Sequence, residues 1–199
     1  MLVLEQIAIK IVDWQIRKGI LTEEERAVYQ YAYELLLNQM INIFFAFLIA
    51  AAFHAPLSVL LFLTSYIPLR SFCGGYHANT NLGCTVVSLL LVCIECFIYQ
   101  NTENGLFSVW YPFSFLISGY LIIRYSPVPD KNKPLDEVET IRYKRKSRMI
   151  WGIEATVGII LYLMHSRYGI VFAVSHLFLS FMLVVGIMKN RKWNREKMK

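Results

Sequence analysis

The chain has 199 residues, of which 56% are hydrophobic and 17% charged, and it carries a formal charge of +6. So low a charged share excludes an ordinary soluble domain, where about a quarter of residues are charged. The polar residues cluster in 1–34, 68–81, 124–148 and 189–199, with apolar runs between them, which predicts a single-domain, all-α polytopic membrane protein.

At the N-terminus, Leu4, Ile7, Ile11 and Trp14 recur at helical spacing, with Lys10, Asp13 and Arg17 on another face. Residues 1–20 are therefore expected to form an amphipathic helix lying in the membrane interface. Packing on the protein's own cytoplasmic face is the alternative. The start, MLVLEQIAIK, lacks the basic opening and small-residue cleavage site of a signal peptide. Gly19 ends this helix, and Thr22-Glu23-Glu24-Glu25 is a capping box that opens the next.

Six spans are expected within a core of residues 22–188, at about 35–53, 57–69, 82–99, 106–123, 149–164 and 168–188. The second is short enough that a re-entrant or tilted segment competes with a full crossing. With a cytoplasmic N-terminus, 19 of the 20 Lys and Arg residues fall on the inside and only Arg167 falls outside. That partition follows the positive-inside rule. It makes both termini cytoplasmic, including the basic tail 189–199, and it places 70–81 and 124–148 on the same side. The net positive charge is thus a topology signal, and no nucleic-acid partner is expected.

Between spans two and three lies Pro68-Leu-Arg-Ser-Phe-Cys-Gly-Gly-Tyr-His-Ala-Asn-Thr-Asn-Leu-Gly-Cys84. A lone cysteine is commonly a small buried hydrophobe, and a lone histidine a hydrogen-bonded polar residue. Here Arg70, His77, two cysteines and three glycines occur together. Thiol chemistry needs a thiolate with a base or positive field beside it. On an unbroken helix His77 and Cys84 would stand about 10.5 Å apart along the axis. A base must come within hydrogen-bond reach, so the chain has to break between them. Asn79, Thr80 and Asn81 favour turns and caps, and Gly75 and Gly83 loosen the backbone. With Asn81 as the cap of span three, Cys84 falls in its first turn, where the helix dipole and free N–H groups favour a thiolate and could support an oxyanion. Cys73, the rival nucleophile, has no helix N-terminus beside it. Cys93 and Cys96 form C-x-x-C in mid-span, where packing is the simpler role. None of the four cysteines lies in a segment expected outside the cell, so no disulfide framework is implied.

At Arg70-Ser-Phe-Cys-Gly-Gly-Tyr-His77, followed by Cys84, the sequence resembles the accessory gene regulator B (AgrB) family of membrane cysteine endopeptidases. Tyr125-Ser-Pro-Val-Pro-Asp-Lys-Asn-Lys-Pro134 resembles the family's basic, proline-bounded cytoplasmic loop, although Asn132 interrupts the basic run. The resemblance implies cleavage of a short AgrD-like precursor peptide through an acyl-enzyme thioester. Capture by a side chain within the peptide then gives a thiolactone or lactone used in quorum sensing. It implies Cys84 as nucleophile and His77 as base. It also marks Arg70 and Gly75, with the loop lysines Lys131 and Lys133, as substrate-binding or otherwise required positions, and it implies a homodimer in the cell membrane. No cofactor or metal is expected. Arg70 could hold a substrate carboxylate, or serve only as an anchor at the end of span two.

Glu95 and Glu154 are ionisable groups inside spans three and five, where such groups are costly and functional by default. Glu95 is expected to pair between helices or to be protonated. His54, His165 and His176 have no partner at useful spacing. The run Arg142-Tyr-Lys-Arg-Lys-Ser-Arg148 reads as a stop signal that also binds the anionic lipid of the inner leaflet. Two other functions compete with the peptidase: a six-span small-solute transporter using Glu95 and Glu154, and a membrane thiol oxidoreductase using Cys93 and Cys96.

Overall fold

The computed structural model describes residues 2–76, 78, 80–102, 110–129 and 135–197. Among these residues the fold is all-helical. Its helices are α1 (Leu2–Arg17), α2 (Arg26–Ala52), α3 (Pro56–Cys73), α4 (Asn81–Asn101), α5 (Trp110–Tyr125), α6 (Glu137–Leu163) and α7 (Gly169–Lys197), with one 3-10 turn at Glu23–Glu25 before α2. Helices α2 to α7 overlap the six apolar segments picked out in the sequence. Four segments are long and apolar enough to cross a membrane: Glu23–Ala52, Pro56–Cys73, Leu82–Asn101 and Gly169–Asn190. Helix α5 has 16 residues, and the first half of α6 carries the basic run 142–148.

The chain divides into two compact units, residues 1–49 with 78–90, and residues 50–77 with 91–199. In the first, the N-terminal helix is attached to its own unit by one edge of its apolar stripe. Ala8 and Val12 are buried, while Ile7 and Trp14 stay exposed. Gln15 donates to the Tyr33 hydroxyl at 2.7 Å, and Asp13 pairs with Arg26. The helix thus buries one edge against its own unit and leaves Ile7 and Trp14 exposed on the other. Gly19, at φ 69°, takes the left-handed turn after α1, and Thr22 with Glu25 forms the expected capping box.

In the second unit α7 is the centre. It packs against α3, α5 and α6, and residues 169–176 are buried on every side, as befits a helix apolar all round. One buried cluster joins Leu69 and Cys73 of α3, Ile122 of α5, Val128, and Leu179 and Leu183 of α7. Another joins Tyr111 and Phe115 of α5 to Ala155 of α6 and to Phe172 and Ala173 of α7. Close approach relies on small residues, as is usual between helices in lipid. A Cβ at Gly158 would run into the Phe115 ring, and the Tyr111 hydroxyl donates to the Gly158 carbonyl at 2.8 Å.

Candidate functional site

The chain breaks where the sequence required it to. Helix α3 ends at Cys73, α4 starts at Asn81, and the described residues between them are non-helical. Gly74 and Gly75 have φ of 71° and 118°, in the region that favours glycine. His77 and Asn79 lie outside the described residues, as do Lys131 and Lys133.

The stretch leading to residue 77 is held from three sides. Val128 donates to the Cys73 carbonyl at 2.8 Å, and Gly75 donates to the Val128 carbonyl at 3.3 Å, so that Gly74 and Val128 form a short parallel bridge. The Tyr76 amide donates to the Met182 carbonyl of α7 at 2.9 Å. The Arg70 guanidinium folds back from the last turn of α3: Nη1 donates to the Gly74 carbonyl and Nη2 to the Tyr76 carbonyl. Two backbone acceptors that the turn leaves unpaired are thereby satisfied by a charged, forked donor.

The seat beneath this segment is glycine on glycine. A Cβ at Gly186 would lie 2.5 Å from the Gly75 carbonyl carbon and 2.6 Å from the Tyr76 nitrogen. A Cβ at Gly75 would lie 2.9 Å from the Met182 oxygen. At the far end of α7, Lys189 Nζ stands 5.1 Å from the centre of the Tyr76 ring, and Asn190 donates to the Pro129 carbonyl at 2.7 Å.

In the other unit, Cys84 lies in the first turn of α4 and is half-buried. The cap, however, is Thr80 rather than Asn81. Thr80 Oγ1 accepts from the Gly83 amide at 3.1 Å, and the Cys84 amide donates to the Thr80 carbonyl at 3.1 Å. The helix starts one residue earlier than expected, so the Cys84 N–H is the first donor inside the helical ladder and is not free. Cys84 still sits within the first turn of α4.

Cys73 is fully buried in the apolar cluster, as is Cys96 within α4. All four cysteines are free thiols. Glu95 is buried and accepts from the Ser58 hydroxyl of α3, the interhelical pairing that its position suggested. His176, to which the sequence assigned nothing, is fully buried with Glu154 and Ser118 as partners. No spacing rule could have found it, because its partners stand on other helices.

The sequence profile described as Accessory gene regulator B matches residues 5–184. An AgrB-like protein of Clostridium perfringens (strain SM101 / Type A) is 27% identical over 152 residues, covering 73% of this chain and 71% of its own length. An AgrB-like protein of Listeria monocytogenes serovar 1/2a is 26% identical over 178 residues, covering 88% and 86%. No solved structure matches the chain.

Proposed function

Because this chain belongs to the accessory gene regulator B family, we propose that it is a membrane cysteine endopeptidase that shortens an AgrD-like precursor peptide and drives its cyclisation for quorum sensing. Cys84 is the nucleophile and His77 its base. The imidazole takes the thiol proton, and the sulfur attacks the scissile carbonyl. The C–N bond breaks, and the leaving amine takes the proton back from the imidazolium, which leaves an acyl-enzyme thioester. A thiol or hydroxyl within the bound peptide attacks that thioester, closes the ring and frees Cys84. Thiol capture exchanges one thioester for another, so it outruns hydrolysis only where water is excluded and the peptide is held folded.

The observation that carries this reading is the break between α3 and α4, which leaves Cys84 in the first turn of a helix while Cys73 is sealed in a core. Arg70 and Gly75 serve the reaction by fixing the course of the chain into residue 77. Lys131 and Lys133 meet acidic residues of the precursor. The protein is multi-pass with both termini on the cytoplasmic side, so its basic residues face the anionic inner leaflet, and it works as a homodimer.

The test is co-expression with a tagged AgrD-like precursor and detection of the shortened peptide. Cys84→Ala and His77→Ala abolish shortening, and Cys73→Ala retains it. Shortening that persists in Cys84→Ala and vanishes in Cys73→Ala would overturn the assignment.

A further inference from the structure

A polar cluster lies inside the apolar interior of the second unit, and the proposed chemistry does not use it. Glu154 of α6 and His176 of α7 face each other, with Oε2 and Nε2 3.3 Å apart. Ser65 of α3 donates to the same Glu154 oxygen at 2.7 Å and lies 2.9 Å from the Ser175 hydroxyl of α7. On the other side of the imidazole, Nδ1 lies 2.8 Å from the Ser118 hydroxyl of α5, which also accepts from Trp151 Nε1 at 3.2 Å. His176 is 0% exposed and Glu154 7%, so both groups are removed from water.

Hydrogen accounting restricts what this pair can be. The Nε2–Oε2 approach is off the line of a full hydrogen bond, and no other partner satisfies Nε2. Two lone pairs facing each other in an apolar interior would repel, so one of the two atoms carries a hydrogen. Ser118 has a single hydroxyl hydrogen, which can go to Nδ1 or to the Phe115 carbonyl at 3.1 Å. In either case the hydrogen between His176 and Glu154 is required. The contact therefore demands one relative position of α6 and α7, and Ser65 and Ser118 extend that demand to α3 and α5. Apolar packing alone can slip by a turn at modest cost, whereas a buried polar group that loses its partner pays its full desolvation.

Two of these elements, α3 and α7, form the seat described above, together with Val128 just beyond α5. Counting along α7, His176 precedes Met182 by six residues, about 9 Å. Counting along α3, Ser65 precedes Cys73 by eight, about 12 Å. Between the cluster and the seat along their helices lie Leu69 and Leu179, which share a buried apolar cluster with Ile122 and Leu183. Any axial shift of α7 against α3 or α6 carries with it the Met182 carbonyl that anchors Tyr76.

We propose that Glu154 and His176 are positioning residues, a buried polar key tied by hydrogen bonds to Ser65 and Ser118, that sets the axial register of α3, α5, α6 and α7 and so holds the Gly74–Tyr76 segment in its seat. Register setting is the best-attested use of a buried ionisable pair. The inference builds on the reading of residue 77 as the base, but its structural half stands without it.

The test is amide hydrogen exchange on the full chain in lipid nanodiscs, read at Gly75 and Tyr76 with residues 57–64 of α3 as the control. In Glu154→Ala and His176→Ala, exchange at Gly75 and Tyr76 rises tenfold or more while the control keeps its protection. Glu154→Gln, which retains an acceptor for Ser65 and a hydrogen-bonding partner for Nε2, stays within about twofold. Ser65→Ala removes the contacts to Glu154 and Ser175, and Ser118→Ala those to His176 and Trp151, with little change of volume, so they fold even where the Ala variants at 154 and 176 do not. Each raises exchange about threefold to tenfold. With the tagged precursor, Glu154→Ala lowers kcat by up to about a hundredfold and leaves KM unchanged, as expected for misplacement of a remote catalytic group. Unchanged exchange at Gly75 and Tyr76 in both serine variants and in every folded alanine variant would overturn the proposal, whatever the precursor does. A wild-type protein that never shortens the precursor would sink the peptidase reading and leave the exchange result standing.

Discussion

The amide of Tyr76 donates to the carbonyl of Met182 across 2.9 Å, which ties the segment after α3 to the middle of α7. This bond, the Gly75–Gly186 contact beside it and the two carbonyls held by Arg70 make up the support for residue 77.

Arg70→Lys is expected to fail as a replacement. A lysine ammonium can reach one of the two carbonyls at a time, whereas the guanidinium holds Gly74 and Tyr76 together. Both Arg70→Lys and Arg70→Ala should lower precursor shortening by about a hundredfold. A lysine variant with wild-type rate would show that charge alone suffices.

Gly186→Ala should damage the seat, since its Cβ would lie 2.5 Å from a backbone carbon of Gly75. Two backbones have no flexible end to move aside, so a loss of about 1–3 kcal/mol in stability is expected. Gly152→Ala is the matched control. Nothing lies within 4 Å of its added Cβ, and an alanine in a helix interior gains about 0.5–1 kcal/mol over glycine. Thermal melts of the two variants should move in opposite directions.

Thiol alkylation separates the cysteines. Cys84 is half-buried at a helix start, while Cys73 and Cys96 are 0% exposed. A maleimide added to the folded protein should label Cys84 before Cys73 and Cys96 and abolish precursor shortening in step with that labelling. The Cys93→Ser, Cys96→Ser double variant should keep its activity. Activity lost only in that double variant would favour redox chemistry at the C-x-x-C pair.

Arg167 is expected to matter for stability and not for chemistry. Its guanidinium donates to the carbonyls of Tyr99 and Gln100, where α4 ends, and lies 4.5 Å from the Tyr99 ring, which stacks on Tyr168. Arg167→Ala exposes two helix-end carbonyls and removes the cation–π contact, a loss of about 1–2 kcal/mol. Shortening by the folded variant should be unchanged. A fall in its rate with unaltered melting would contradict this division of roles.

Much of this was legible in the chain itself. The apolar runs, the capping box at Thr22, the turn at Gly19 and the break ahead of Cys84 each follow from preferences that act over a few residues. The helix start at Thr80 was placed one residue late, because Thr80 and Asn81 are both good caps and local chemistry does not choose between neighbours. The apolar edge of α1 was visible, but not that Ala8 and Val12 would be its buried side. The partners of Arg70 were out of reach, since they are backbone carbonyls whose direction depends on the turn made by two glycines.

What the sequence determined by itself is a helical membrane protein with a break between two long apolar segments and a cysteine at the start of the second. Hydrophobic length, glycine and cap residues are local properties, and they suffice for that. Only the tertiary structure decided that Glu154 meets His176 and that Gly186 lies under Gly75. Those pairs join residues 22 and 111 positions apart, and such a meeting is set by how four helices pack and not by the sequence around either partner.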